Sequence, residues 1–161
     1  MAYGIKMQFT SDWLKGVGNN STNNRYEVIA AFFSPLESRS DCYQECVQII
    51  IDNPSGLDVN LAENMIDKIN TIENLELLAS NTIDVWLAGN PACVLSYRYS
   101  DPLFRILKVK ETGTIIRGKG YYLQYFAESE KYSGYLPTIH TMIDSFTLIA
   151  HKMMRTTVLI I

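Results

Sequence analysis

Apolar and polar residues alternate along much of this chain, and the pattern predicts a sheet. Gly4–Phe9 alternates as a half-buried strand does. Tyr26–Phe33 is apolar on both faces, which indicates a strand that is covered on both sides. Leu75–Ser80 and Asp84–Leu87 are predicted as one bent strand or a hairpin. The remaining predicted strands are Tyr43–Ile51, Ala92–Tyr99, Phe104–Glu111 and Gly120–Ala127.

Two other segments have apolar positions at helical spacing. In the first, Asn60–Thr71, Asn60 is followed three residues later by Glu63, as in a capping box. Its apolar stripe consists of Leu61, Met65, Ile69 and Ile72. Such a stripe requires a sheet beneath it, because burying each large aliphatic side chain is worth about 1.5–3 kcal/mol.

The second predicted helix spans Tyr135–Phe146. Pro137 is tolerated in the first turn of a helix, and this places the predicted start. The buried stripe of this helix is predicted to be Leu136, Ile139, Ile143 and Phe146.

Composition and charge limit the classes of function. The chain has 161 residues, of which 47% are hydrophobic and 19% charged, as expected for one globular domain. Its net charge of -3 provides no basic excess to hold nucleic acid. No apolar run reaches the roughly 18 residues of a transmembrane helix, although peripheral membrane association remains compatible with the sequence. We expect an extracytoplasmic location if a leader precedes these residues in the cell, and a cytoplasmic one otherwise.

The three cysteines do not form a disulfide framework, because their number is odd and low. Cys42 and Cys46 would be about 13 Å apart on one strand, too far to bridge. A bridge between Cys46 and Cys93 across neighbouring strands is one alternative. Free, buried thiols are the other, and we favour it.

Several short motifs resemble the PsbP family, the extrinsic photosystem II protein and its archaeal and bacterial relatives. The opening Tyr3–Met7 is followed by Asp12 and Trp13, and the resemblance extends over residues 3–148. The other motifs that carry it are Phe32–Glu37, Leu87–Ala92, Gly118–Tyr122, Tyr132–Pro137 and Met142–Phe146. The resemblance implies an α+β fold: an α/β/α sandwich with a central, mainly antiparallel sheet covered by helices on both faces.

The resemblance also implies a domain and a type of function. One PsbP-like domain is predicted over residues 3–148, with a tail over residues 149–161 that is an extra strand, a partner contact or poorly ordered. Photosynthetic members of the family are extrinsic proteins that support the calcium and chloride needs of water oxidation, and others are assembly factors. No metal-binding histidine of the family aligns with this chain, so we do not expect a photosystem role. The resemblance implies no enzymatic activity.

Glu37, Asp41 and Glu45 are the candidate metal ligands. They lie close together in the sequence, and calcium prefers carboxylate oxygens. The alternative is a solvated acidic loop, since the ligand spacing of a dedicated calcium loop is missing. His140, one of two histidines, has no partner at ligand spacing and is interpreted as a side chain at a helix edge.

Tyrosine is the most unusual residue in the composition, with ten in the chain. Strand parity places each of two pairs on one face of its strand, and these are the candidate binding residues: Tyr97 and Tyr99, and Tyr121 and Tyr125. Tyrosine suits interfaces because an apolar ring carries a polar tip. The alternative is that the rings are packed under the helices. The leading prediction is a non-enzymatic module that docks on a protein partner or a membrane-associated complex. The second is a domain that binds calcium or a small ligand.

Overall fold

The computed structural model describes residues 3–17, 26–53, 60–103, 105–150 and 158–160. Its elements, in chain order, are β1 (Tyr3–Met7), β2 (Leu14–Val17), β3 (Tyr26–Phe33), β4 (Cys46–Asp52), α1 (Leu61–Ile69), β5 (Glu76–Asn81), β6 (Trp86–Leu87), β7 (Asn90–Pro91), β8 (Cys93–Ser100), β9 (Ile106–Ile116), β10 (Lys119–Glu128), α2 (Tyr132–Ser145), β11 (Thr147–Ala150) and β12 (Val158–Ile160).

Seven strands form one sheet in the order β2-β3-β4-β10-β9-β8-β5. Every neighbouring pair in this sheet is antiparallel. Because side chains alternate along each strand, β10 directs Tyr121 and Tyr125 to one face and Tyr122 to the other. The first face is covered by α2 and β1, and we call it the α2 face. The second is covered by α1 and is called the α1 face. The predicted α+β sandwich is therefore confirmed.

The strands in the middle of the sheet are buried on both faces. In β4, Ile49 and Ile51 belong to the core of the α2 face, while Ile50 belongs to that of the α1 face. Met65 and Ile69 of α1 complete the second core and are at most 1% exposed. Ile139 and Met142 of α2 complete the core of the α2 face.

The first helix begins where the sequence predicts. The side-chain oxygen of Asn60 accepts hydrogen bonds from the backbone N–H groups of Ala62 and Glu63, at 3.0 and 3.3 Å. The second helix begins three residues earlier than predicted, at Tyr132. Pro137 therefore lies in its second turn, where it leaves the carbonyl of Ser133 without its helical donor. Ser133 is exposed, so water can hydrogen-bond to that carbonyl.

Neither helix approaches the length that crosses a bilayer, since the described helices have 9 and 14 residues.

A separate three-stranded sheet consists of β11, β1 and β12. β1 pairs antiparallel with β11 and parallel with β12. Ile5 and Met7 of β1 are fully buried in the core of the α2 face. The described residues after 148 thus take part in strands, while the division into a domain and a tail at that residue stays a prediction.

The three cysteines are free. Cys46 on β4 and Cys93 on β8 are separated by β10 and β9, which corresponds to about 14 Å at the usual strand spacing. A bridge between them is therefore excluded. Both thiols are buried, as expected, whereas Cys42 is exposed.

Gly113 lies inside β9, although the sequence suggests a break between two strands there. It pairs with Tyr122 of β10, and the tyrosine ring covers the place of its missing side chain. A Cβ on Gly113 would lie 2.7 Å from Cε1 of Tyr122 and 3.1 Å from Sδ of Met65. A Cβ on Gly120 would lie 2.6 Å from Cε2 of the same ring. The two glycines allow Tyr122 to lie flat on the sheet beneath α1.

We therefore expect Gly113→Ala to lower the free energy of unfolding by about 1–3 kcal/mol, because the tyrosine ring must move. Urea unfolding followed by circular dichroism measures this change. Gly134→Ala is the matched control, since nothing lies within 4 Å of a Cβ at that helical position. The control should be neutral or more stable by up to ~1 kcal/mol. An unchanged urea midpoint for Gly113→Ala would contradict the interpretation.

Candidate functional site

The predicted tyrosine surface is core at three of its four positions. Tyr97, Tyr121 and Tyr125 are each 1% exposed, and Tyr99 is half-buried. Tyr97 lies on the α1 face of the sheet, whereas Tyr121 and Tyr125 lie on the α2 face. Strand parity gave the shared faces correctly, but it does not show which faces a helix covers. The alternative interpretation, that these rings are packed under the helices, describes the structure.

The hydroxyl of the buried Tyr125 is hydrogen-bonded within the fold. The hydroxyl of Tyr125 donates a hydrogen bond to the carbonyl of Tyr132 at 3.0 Å, and the two rings stack with centroids 5.2 Å apart. This contact attaches the first turn of α2 to β10. Burial raises the pKa of Tyr125 and Tyr97 far above the usual value for tyrosine. Neither phenol is therefore available as a proton donor or acceptor near neutral pH.

The three predicted acidic ligands do come together, and they surround a lysine. Nζ of Lys131 lies 2.8 Å from Asp41, 3.8 Å from Glu37 and 4.0 Å from Glu45. A fourth carboxylate, that of Glu128, lies 3.3 Å away. We call these five residues the Lys131 cluster. Lys131 directly precedes α2, so the cluster attaches the 37–45 segment to the start of that helix.

Local hydrogen bonds hold the carboxylates of this cluster in place. The carboxylate of Asp41 accepts from the backbone N–H groups of Glu37 and Tyr43, at 3.0 and 3.3 Å. Oε2 of Glu45 accepts from the hydroxyl of Ser34 at 2.9 Å, and that hydroxyl accepts from the N–H of Glu45. Ser34 and Glu45 are completely buried. The other oxygen of Glu45, Oε1, has no hydrogen-bond partner within the part of the chain that the structure describes.

The ammonium group of Lys131 determines the electrostatics of the cluster. Its hydrogen bond to Asp41, aided by the N–H of Glu37, lowers the pKa of that carboxyl to about 2. The same contact with Asp41 raises the pKa of Lys131. The donor set consists of oxygens, as calcium requires, but the ammonium group already lies among them. Within the described residues, no group of three or more histidine, cysteine, aspartate or glutamate side chains is placed to hold a metal ion.

Sequence reasoning missed a buried polar network beneath α1. Oε1 of Glu111 pairs with Nζ of Lys68, and Oε2 accepts from Nε2 of Gln124 at 2.7 Å. Asn64 donates to the hydroxyl of Tyr122 at 2.9 Å and to Asp52 at 3.2 Å. The sequence does contain a sign of this network, because Glu111 and Gln124 are polar residues within two otherwise apolar strands. These contacts join the helix to three strands, so the network stabilises the fold and offers no free reactive group.

Sequence reasoning also missed an apolar surface at the edge of the sheet. All six residues of β5 are exposed, including Leu77 at 44% and Leu78 at 40%. Shortly after the strand, Ile83 is 75% and Trp86 is 60% exposed. We call Leu77, Leu78, Ile83 and Trp86 the β5-edge surface. Half of the exposed large apolar side chains of the described residues lie in this short stretch; the others are Leu14, Leu36, Leu103 and Ile106.

Comparison with known proteins agrees with the PsbP-like fold. The cyanobacterial PsbP protein (CyanoP) of Synechocystis sp. PCC 6803 superposes with a TM-score of 0.56 and 18% identity, over 87% of this chain and 84% of that chain. This chain has a PsbP-like fold. The resemblance stated from the sequence motifs is thus confirmed at the level of architecture.

Two further solved structures share the architecture. LpqN, involved in cell envelope biogenesis of Mycobacterium tuberculosis, has a TM-score of 0.67 and 13% identity over 92% of this chain and 85% of that chain. PA94 of Pseudomonas aeruginosa, a protein of unknown function described as a putative regulator, has a TM-score of 0.60 and 15% identity over 76% and 83%. None of the three is described as an enzyme. No family model matches the sequence, and no curated protein matches it significantly.

The Lys131 cluster predicts a pH dependence of stability. Since the pKa of Asp41 is lowered from 3.8 to about 2 in the folded protein, its ionised form stabilises the fold above about pH 4. This contribution is lost as the pH falls through about 2. The difference in unfolding free energy between wild type and Asp41→Asn should therefore shrink between pH 4 and pH 2, as measured by urea unfolding.

A second comparison shows whether Lys131 is the cause of this pH dependence. In a Lys131→Met background, the Asp41→Asn substitution should have a smaller effect on the free energy of unfolding, with little change between pH 4 and pH 2. A full effect of Asp41→Asn without the lysine would show that the pKa of Asp41 is lowered by other groups.

Proposed function

We propose that this protein is a non-enzymatic binding module that docks on a protein partner through the β5-edge surface. The observation that carries the proposal is the exposure of Ile83 and Trp86 beside an edge strand. Exposed apolar surface of this kind is typical of interaction sites, because a soluble protein gains nothing by leaving it in water. Tryptophan is also among the residues that contribute most to binding energy at interfaces.

The edge itself supports contact through side chains. β5 pairs with β8 on one side, and no strand among the described residues pairs with its other side. The register shifts between Leu77 and Ala79, which places a bulge at Leu78. Bulges hinder the addition of a further strand at a sheet edge. The partner is therefore expected to cover apolar side chains and not to extend the sheet.

The local backbone presents these side chains on a fixed turn. The side chain of Asn81 accepts a hydrogen bond from the N–H of Ile83 at 2.9 Å. Trp86 is opposite Pro91 in the small β6-β7 hairpin. Within the same hairpin, Leu87 is 1% exposed and belongs to the core of the α2 face, so the hairpin is anchored while its tryptophan points outward. A rigid, apolar surface loses little conformational entropy on binding.

The shared fold adds support of a general kind. The neighbours named above include a protein of cell envelope biogenesis and a putative regulator, and neither description is of an enzyme. A partner in a membrane-associated complex would agree with the first of these. We propose docking on such a complex as a peripheral component.

We expect Trp86→Ser and Ile83→Ser to weaken partner recovery about tenfold or more each, because both side chains would lie at the centre of the interface. The measurement is chemical crosslinking in host extract, followed by quantitative mass spectrometry of proteins retained by tagged bait. Leu14→Ser is the matched control: this leucine is 65% exposed but lies on β2, at the opposite edge of the sheet. Equal recovery with all baits would refute the proposed surface.

The same variants identify a partner that is a second copy of the chain. Sedimentation equilibrium of the purified wild type would then show a dimer, and Trp86→Ser would be a monomer. A dimer that persists in Trp86→Ser and Ile83→Ser would place the interface elsewhere.

Calcium binding at Glu37, Asp41 and Glu45 is the second proposal. It is favoured by the convergence of the three carboxylates and by the buried Oε1 of Glu45, which lacks a hydrogen bond. A surface cavity of about 340 Å³ adjoins the cluster, so an ion has access to it. As the described residues stand, no group of three or more such side chains is placed to hold an ion, so an ion would have to displace the ammonium group of Lys131 and draw the carboxylates together.

Lys131→Met should remove that obstacle. We expect the variant to be less stable by about 1–3 kcal/mol, because four carboxylates lose their cation. Millimolar calcium should then raise its melting temperature more than that of wild type, at constant ionic strength set with sodium chloride. No response of the wild type would reject calcium at the native cluster, and an equal response of the two proteins would place the ion elsewhere.

A further inference from the structure

The α2 face carries a group of cationic side chains beside the helix. Lys108 and Lys110 of β9 have their side chains on this face, where they are opposite Arg98 and Ser96 of β8. α2 approaches this part of the face with His140. Four nitrogen-bearing side chains therefore lie on one side of two neighbouring strands and the adjacent helix.

Lys110 and His140 are in direct contact. Nζ of Lys110 lies 2.9 Å from Nε2 of His140, within hydrogen-bond distance. His140 is exposed and Lys110 is half-buried. The pair thus lies at the boundary between the core of the α2 face and solvent, where a small ligand can reach both nitrogens.

Among the described residues, neither lysine of this face has a carboxylate partner, whereas the nearby Arg98 does. Arg98 pairs with Glu76 at 2.6 Å. By contrast, Lys108 and Lys110 form no ion pair with any of the described residues. Nζ of Lys108 lies 4.4 Å from the centroid of the Tyr132 ring. The negative charge acting on Lys110 is that of Asp144, which does not come within ion-pair distance.

Burial makes this lack of a counter-ion costly. Partial removal from water lowers the pKa of Lys110, against the smaller opposing effect of Asp144. A partly buried ammonium group that has no counter-ion is stabilised when a ligand supplies acceptor oxygens.

We propose that Lys110 and His140, assisted by Lys108, bind a small oxyanion, either a carboxylate or a phosphate group. An oxyanion would accept hydrogen bonds from the ammonium groups of Lys110 and Lys108 and from the imidazole in its Nε2-protonated form. It would replace the single lysine–histidine contact by contacts of opposite charge. The site is independent of the β5-edge surface and of the Lys131 cluster.

The experiment titrates ¹³C,¹⁵N-labelled protein with sodium phosphate and, separately, with sodium acetate, while sodium chloride holds the ionic strength constant. The readout is the side-chain resonance of His140, and His151, the other histidine of the chain, serves as an internal reference. We expect the His140 resonance to move saturably. Movement with both anions identifies a carboxylate-type or general oxyanion site, and movement with phosphate alone identifies a phosphate site.

Variants connect the response to the lysine. Lys110→Met keeps the apolar stem and removes the charge, and it should weaken anion binding about tenfold. Lys119→Met is the control, because Lys119 is exposed at the start of β10, and it should leave binding unchanged. If Lys110→Met does not fold, His140→Gln replaces it, with the backbone amides of residues 108–112 as the readout and the same expected loss.

The proposal is overturned by any of three results. The His140 resonance does not move with either anion, it moves equally with added chloride, or it moves equally in wild type and in Lys110→Met. Each result would show that the lysine–histidine contact is only a structural hydrogen bond.

Discussion

The two-residue period of β10 is the constraint on which the rest of the fold depends. This strand lies in the middle of the seven-stranded sheet, between β4 and β9, and both of its faces are buried. Its odd-numbered residues form the core under α2, while Tyr122 and Gln124 face α1. A slip of one residue would exchange the two sets, and neither helix would then find a complementary surface.

Tyr122 shows how closely this constraint is met. Its ring needs two glycines on its own face of the sheet, Gly113 beside it on β9 and Gly120 on β10 itself, and its hydroxyl needs Asn64 of α1. Strand pairing and helix position are thus specified by one side chain. This also explains why β9 continues through Gly113: the glycine makes room for the ring and does not end the strand.

Local patterns predicted the elements, and contacts between distant parts of the chain account for most of the errors. The helix cap at Asn60 and the strand Tyr26–Phe33 depend on neighbouring residues alone, and both agree with the structure. Burial of Tyr97 could not be predicted, because parity shows which residues share a face and not what lies over that face. The position of Lys131 is a similar case, since its partner Asp41 is separated from it by 90 residues in the sequence.

Whether a buried charged side chain has a partner of opposite charge distinguishes structural ion pairs from a candidate binding site. Two buried carboxylates are paired with a cation, Glu111 with Lys68 and Asp101 with Arg105. Lys110 is half-buried and receives a histidine instead. A histidine supplies no negative charge, and a bound oxyanion would supply it.

The two proposed binding regions lie in the same half of the seven-stranded sheet. Lys110 is opposite Ser96 of β8, and Ser96 is opposite Ala79 of β5. Two strand spacings separate the lysine from the edge strand, a distance of about 10 Å. A partner that covers β5 at Ala79 and carries an acidic or phosphorylated group would therefore need to span about 10 Å to reach Lys110. In that arrangement apolar contact would supply most of the affinity, and the oxyanion would fix the orientation of the partner.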